Sequence, residues 1–114
     1  MPACRDPRKR FEQALDELYA YYERTGPMLS NVLRDAALVD FAREAVTPLR
    51  AYLDEAAEVL ITGRAVRGRR RQLLGRALRH ALAFSTWQSL TSNGIGRSEA
   101  VKLVTALVEA AAAP

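Results

Sequence analysis

The sequence predicts an all-α fold, and three observations point to it. Apolar residues recur at spacings of three and four along most of the 114 residues, and no segment alternates as a half-buried strand does. Ala, Leu, Arg and Glu, all good helix formers, dominate the composition. Turn-forming pairs stand at the ends of the periodic segments, at Gly26-Pro27, Thr62-Gly63 and Asn93-Gly94. The length suits one domain with a real core. Residues 6–114 are assigned to it, with residues 1–5 as a tail expected to be disordered. The expected architecture is a bundle of five helices joined by short turns.

The elements follow in order. Asp6-Pro7 starts the first helix, because Asp caps free amides and Pro is tolerated at the first helical position. Phe11, Leu15, Leu18, Tyr19 and Tyr22 then form one face, with Glu12, Asp16 and Glu23 turned away from it. Gly26-Pro27 is expected to end this helix. A short second helix reads from "PMLSNVLRD", with Met28 or Leu29, Val32 and Leu33 inward. The third covers roughly residues 38–61 and carries Phe41, Leu49, Tyr52, Leu53, Ala56 and Leu60. Pro48 is expected to kink or restart it, with Thr47 as a possible cap. The fourth runs from about Gly68 to Ser92. The last begins after Gly96, capped by Ser98, and reaches about Ala112.

Charge is unevenly placed. Of the +4 formal total, Arg64 to Arg79 holds seven arginines and no acid. The remaining ten basic residues against thirteen acids leave about −3 elsewhere. From Ala81 to Gly96 there is no charge at all. Arg69, Arg70 and Arg71 fall near a helix N-terminus, where the dipole disfavours cations. Pairing with Asp54, Glu55 and Glu58 of the preceding helix is the simplest expectation for them. A phosphate-binding patch is the alternative, although it lacks the aromatics that would stack on single strands.

The fourth helix is apolar over well over half its circumference. Leu73, Ala77, His80 and Phe84 share a face with Trp87 beside them, and Leu74, Leu78, Ala81 and Leu82 form an adjoining one. The last helix wraps Ala100, Leu103, Val104, Leu107, Val108 and Ala111 around about half its surface, with Lys102, Thr105 and Glu109 opposite. A core-facing helix of a monomer normally shows a narrower stripe. Two such helices in succession imply burial on two sides, one against their own domain and one against a second copy across a two-fold axis.

Catalytic chemistry is not expected. There is one histidine, one cysteine, no metal-ligand spacing and no Gly-rich phosphate loop, so neither an enzyme nor a cofactor is foreseen. Cys4 has no intrachain partner, no segment spans a bilayer, and a cytoplasmic location fits both. "SLTSNGIGRSEAVKLV" mimics a helix-turn-helix, but Ala100, Val101, Val104 and Val108 are apolar where base-reading side chains should be polar.

Taken together, "LYAYYERTGPMLSNVLRD", "PLRAYLDEAAEVL", "RALRHALAFSTWQSL" and "SEAVKLVTALV" give the chain a character that resembles the C-terminal regulatory domain of TetR-family transcriptional regulators, from about Asp6 to Ala112. The resemblance implies a homodimer formed through the last two helices as a four-helix interface. It also implies a cavity for a small apolar or aromatic ligand, whose binding alters DNA binding by a separate N-terminal head. No segment of this sequence matches that three-helix head. Residues expected at the ligand are Tyr19, Tyr22, Met28, Val32, Tyr52, His80, Phe84 and Trp87. Residues expected at the dimer interface are Leu74, Leu78, Ala81, Leu82, Ser85, Leu103, Leu107 and Val108, unless the two faces of the fourth helix are exchanged. Two other readings stand beside this one. One is a free-standing helical module forming mixed dimers with a longer relative, and the other is a nonspecific nucleic-acid binder using Arg64 to Arg79.

Overall fold

The computed structural model describes residues 6–36 and 40–113, except the side chains of residues 36, 40–43 and 45. The tail at residues 1–5 and the expected inward side chain of Phe41 lie outside the described residues. Five helices follow one another: α1 (Pro7–Ala36), α2 (Asp40–Ile61), α3 (Gly68–Leu82), α4 (Phe84–Thr91) and α5 (Arg97–Ala112). The five-helix all-α class is as expected, but its partition differs in three places.

Helix α1 runs through Gly26-Pro27 and α2 runs through Pro48. In α1 the buried positions Tyr19, Tyr22, Gly26 and Leu29 keep the three-four period across the proline. In α2, Val46, Leu49, Leu53, Ala57 and Leu60 do the same. Both prolines are exposed. The carbonyl that each deprives of a donor, four residues back, belongs to an exposed glutamate, Glu23 or Glu44, where water substitutes. Continuous packing of the inner face therefore outweighs the local penalty. The third difference is a break inside the expected fourth helix, at Ala83, which is extended at φ −67° and ψ 142°.

The expected start and stops hold elsewhere. Asp6 caps α1 by accepting from the Arg8 amide at 3.0 Å. Gly63 and Gly94 turn the chain with φ of +87° and +96°, a region that suits glycine. Helix α5 begins one residue before the expected cap: Gly96 precedes its first residue, and no side chain bonds the free amides.

Helix α1 lies against α2 and α5 and touches α3 and α4, and α3 fills the space between α2 and α5. Phe11, Leu15, Tyr19 and Tyr22 of α1 meet Leu74, Leu78 and Leu82 of α3, and Ala100, Val101, Val104 and Val108 of α5 close the core. Arginines join the helix ends. Arg10 donates to the Leu60 carbonyl at 3.2 Å and to that of Thr62, holding the C-terminus of α2. Arg70 donates to the carbonyls of Ala112 and Ala113 at the end of α5. A cation near the start of α3 is thus placed by the negative end of a neighbouring helix. Arg97 at the start of α5 meets Asp16 and Glu23 of α1, both at 3.1 Å.

Helix α5 turns further than the sequence suggests. Thr105 and Glu109, expected on the outer side, face inward. Thr105 is fully buried, and its hydroxyl finds no partner among the described residues. A buried unsatisfied hydroxyl costs about 1–3 kcal/mol, and an apolar group of the same shape removes that cost. Thr105→Val is expected to raise the unfolding free energy by about 1 kcal/mol, read from urea titration at fixed protein concentration.

Candidate functional site

The break at Ala83 organises an aromatic cluster. Helix α3 ends with carbonyls that lack helical donors, as every helix end does. Side chains from elsewhere satisfy two of them. The Tyr19 hydroxyl donates to the Ala81 carbonyl and the Tyr22 hydroxyl to the Leu82 carbonyl, each at 2.7 Å. The His80 carbonyl accepts from the Ala83 amide at 3.1 Å and from the Thr86 hydroxyl at 2.6 Å. The break turns α4 so that Phe84 is buried and Trp87 half-buried. Phe84 meets Tyr22 edge-on with ring centres 5.2 Å apart, and Trp87 lies 5.4 Å from Phe84 and 6.0 Å from Tyr22. Such tilted and edge-on pairs add to simple burial.

Gly26 makes room for Trp87. A Cβ there would stand 3.3 Å from the indole ring. The sequence predicts a turn at Gly26, but α1 runs through it and the glycine lies buried on the inner face.

Of the eight residues expected at a ligand, four belong to this cluster: Tyr19, Tyr22, Phe84 and Trp87. Val32 is half-buried. Met28 is 56% exposed, Tyr52 is 60% exposed and His80 is exposed, so these three do not join the others. Each stands one step round its helix from the inner face. Leu29 takes the inward place beside Met28, and Leu53 takes the one beside Tyr52. The four clustered rings pack on one another, which fills the space between them. Beside them, an open pocket of about 370 Å3 lies between α1 and α4, lined by Gly26, Pro27, Ser30, Phe84, Trp87 and Gln88. The buried Trp87 Nε1 has no hydrogen-bond partner among the described residues.

Burial pushes both tyrosine hydroxyls well above their ordinary value near 10. At Tyr19 the neighbouring Tyr22 adds to the effect, and at Tyr22 the charge of Arg79 opposes it. Below about pH 10 both are protonated whether the chain is folded or unfolded, and stability is at its full value. Above it the unfolded chain releases protons that the folded chain keeps, so stability falls as pH rises. The expected slope is about 1.4 kcal/mol per pH unit for each tyrosine. Urea midpoints measured between pH 9 and pH 11 (~2 units) check it, and Tyr19→Phe with Tyr22→Phe should flatten the decline.

The expected interface residues divide into two sets. Leu74, Leu78, Ala81, Leu82 and Val108 are buried within the chain, none more than 3% exposed. They form the core under α1 and are not available to a partner. Ser85 is exposed, and Leu103 and Leu107 are 45% and 61% exposed. The faces of the fourth helix are thus exchanged, with Leu74 and its neighbours inside and Leu73, Ala77 and His80 outside or half-outside. On the outer side Ala77, His80, Ser85, Ser89 and Leu107 line an uncharged groove of about 340 Å3 between α3, α4 and α5.

Arg64 to Arg79 is not one patch. Arg64 is buried against Glu109, Arg70 holds the end of α5, and Arg79 pairs with Asp54 at 2.7 Å. Arg67, Arg69, Arg71 and Arg76 are exposed, and Arg69 donates to Gln72 of its own helix at 3.3 Å. Among the described residues no group of His, Cys, Asp and Glu is placed to hold a metal, and no helix is long and apolar enough to cross a membrane. Comparison with protein families, with curated proteins and with solved structures finds no match for this chain.

Proposed function

We propose that this chain is a self-associating regulatory domain of the kind found in TetR-like transcriptional regulators. The observation that carries the reading is the outer face of α5. Leu103, Ala106, Leu107 and Ala110 recur at spacings of three, one and three and are all exposed, opposite an inner stripe of Ala100, Val101, Val104 and Val108 that is buried. A helix apolar on both sides has one face to spare. Beside it lies α4, uncharged throughout, with Ser85 and Ser89 outward and small enough for close helix approach. A standard interface takes about 800 Å2 from each partner, about a tenth of the 7495 Å2 surface of this chain.

The occupant proposed for this face is a second copy, related by a two-fold axis that sets α4 and α5 against their counterparts. Ligand sensing is assigned to the pocket beside Phe84 and Trp87. Its size suits a small molecule, and Gly26, Phe84 and Trp87 give it an apolar wall beside the polar Ser30 and Gln88. DNA contact belongs, on this reading, to a separate head, and the ligand and the partner are the two inputs handled here. Sedimentation equilibrium at micromolar concentration tests the reading. A dimer is expected, and a strictly monomeric mass overturns it. A panel of small aromatic and apolar compounds, screened for a rise in melting temperature, tests the sensing half.

A further inference from the structure

The Ala81 and Leu82 carbonyls each have two possible donors. In the structure they accept from the Tyr19 and Tyr22 hydroxyls. In an unbroken helix they would accept from the Ser85 and Thr86 amides, four residues on. No residue at the break is a helix breaker: Leu82, Ala83 and Phe84 include no glycine, proline or asparagine, and the local contact that spans it is the Thr86 hydroxyl donating to the His80 carbonyl at 2.6 Å.

The two arrangements present different side chains. In an unbroken helix the core stripe Leu74, Leu78, Leu82 continues at helical spacing to Ser85 and Ser89. The outer stripe Leu73, Ala77, His80 continues to Phe84 and Trp87. The observed break reverses this, with Phe84 and Trp87 turned in and Ser85 and Ser89 turned out. We propose that Ala83 is the hinge of a two-state helix. The hydroxyls of Tyr19 and Tyr22 hold it broken, and when they let go, α3 and α4 join and bring Phe84 and Trp87 onto the groove face. The Ala83 backbone occupies either the extended well seen here or the helical one, and only the helical one brings the Ser85 and Thr86 amides to the two carbonyls, so the element has two discrete states rather than a continuous bend. The hinge does not depend on self-association. Its consequence, that hinge state decides which surface a second copy meets, rests on the function proposed above.

The test uses the full chain with Tyr19→Phe and Tyr22→Phe together, which removes the hydroxyls and keeps the rings. In the unsubstituted protein the Ala83 Cα chemical shift should be that of extended backbone. In the variant it should move toward the helical value, with slower exchange of the Ser85 and Thr86 amides. Emission from Trp87, the one tryptophan, should move to the red and become easier to quench. An Ala83 shift that stays extended overturns the hinge. So does one that moves to the random-coil value, since exposure of Trp87 would then reflect local unfolding. Should the double variant fail to fold, Tyr22→Phe, which frees the Leu82 carbonyl alone, is read in the same way. Sedimentation of these proteins separates the two proposals. A helical Ala83 in a monomer keeps the hinge and removes self-association, whereas an unmoved Ala83 in a dimer removes the hinge alone.

Discussion

Replacing Glu109 with Ala is expected to destabilise the chain by about 3 kcal/mol, the scale for breaking one side of a buried ion pair. Arg64 stands in the turn between α2 and α3 with its side chain only 6% exposed, and Glu109 of α5 meets it at 2.7 Å with 21% exposure. The same guanidinium donates to the Pro7 carbonyl at the start of α1, at 3.3 Å. One side chain therefore ties together the beginning of α1 and the end of α5. The pair is not fully satisfied: Arg64 Nε and Glu109 Oε2 are buried without partners among the described residues. Removing the carboxylate leaves a desolvated cation with one weak acceptor. Arg64→Met should cost less, because Glu109 is the more exposed partner and regains water. Arg64→Met combined with Glu109→Leu should recover most of the loss, since a packed apolar pair avoids the desolvation of two charges. Urea unfolding at one concentration, with Glu109→Leu alone completing the cycle beside Arg64→Met and the double variant, gives the coupling energy directly. A Glu109→Ala variant within about 0.5 kcal/mol of the unsubstituted protein, the ordinary surface effect, would mean that the pair is effectively solvated.

What the sequence made legible was the existence of helices and the inner face of α1. Phe11, Leu15, Tyr19 and Tyr22 are all buried, as their spacing requires. What it hid were effects decided at a distance. Pro27 and Pro48 read as breaks because local chemistry says so, yet each falls on the solvent side of a stripe that stays in phase. Ala83 read as helix because nothing near it objects. At its break the Ala81 and Leu82 carbonyls accept from hydroxyls 62 and 60 residues away, and Phe84 turns into the core. The over-wide apolar surface of the expected fourth helix was a true signal with two sources. One is the break, which lets Leu74, Leu78 and Leu82 and then Phe84 and Trp87 face the same core from a chain that has turned. The other is the uncharged outer face that remains. Periodicity counts apolar positions but does not choose which side points in: of two leucines expected outward, Leu78 is buried and Leu107 is exposed.

Leu107→Arg is expected to abolish self-association while leaving the fold of each copy intact. The side chain is 61% exposed in the single chain, so an arginine there keeps its water and should change monomer stability by about 0.5 kcal/mol or less. In the proposed dimer the same position is covered. A two-fold axis then doubles the effect, because every interface receives two new cations and like charges come together. An unpaired buried charge costs several kcal/mol, and the dissociation constant should rise by about a hundredfold or more. The expected result is a chain that sediments as a monomer at concentrations where the original is a dimer, with the same helical signal. Leu78→Ala is the contrasting substitution. Leu78 is fully buried beneath α1, so truncation should cost about 2–5 kcal/mol through the cavity left in the monomer. That loss should appear in the unfolding curve whether or not the chains are associated. If Leu107→Arg sediments as the unsubstituted dimer does, the second copy is seated elsewhere and the outer face of α5 is only a tolerated apolar surface.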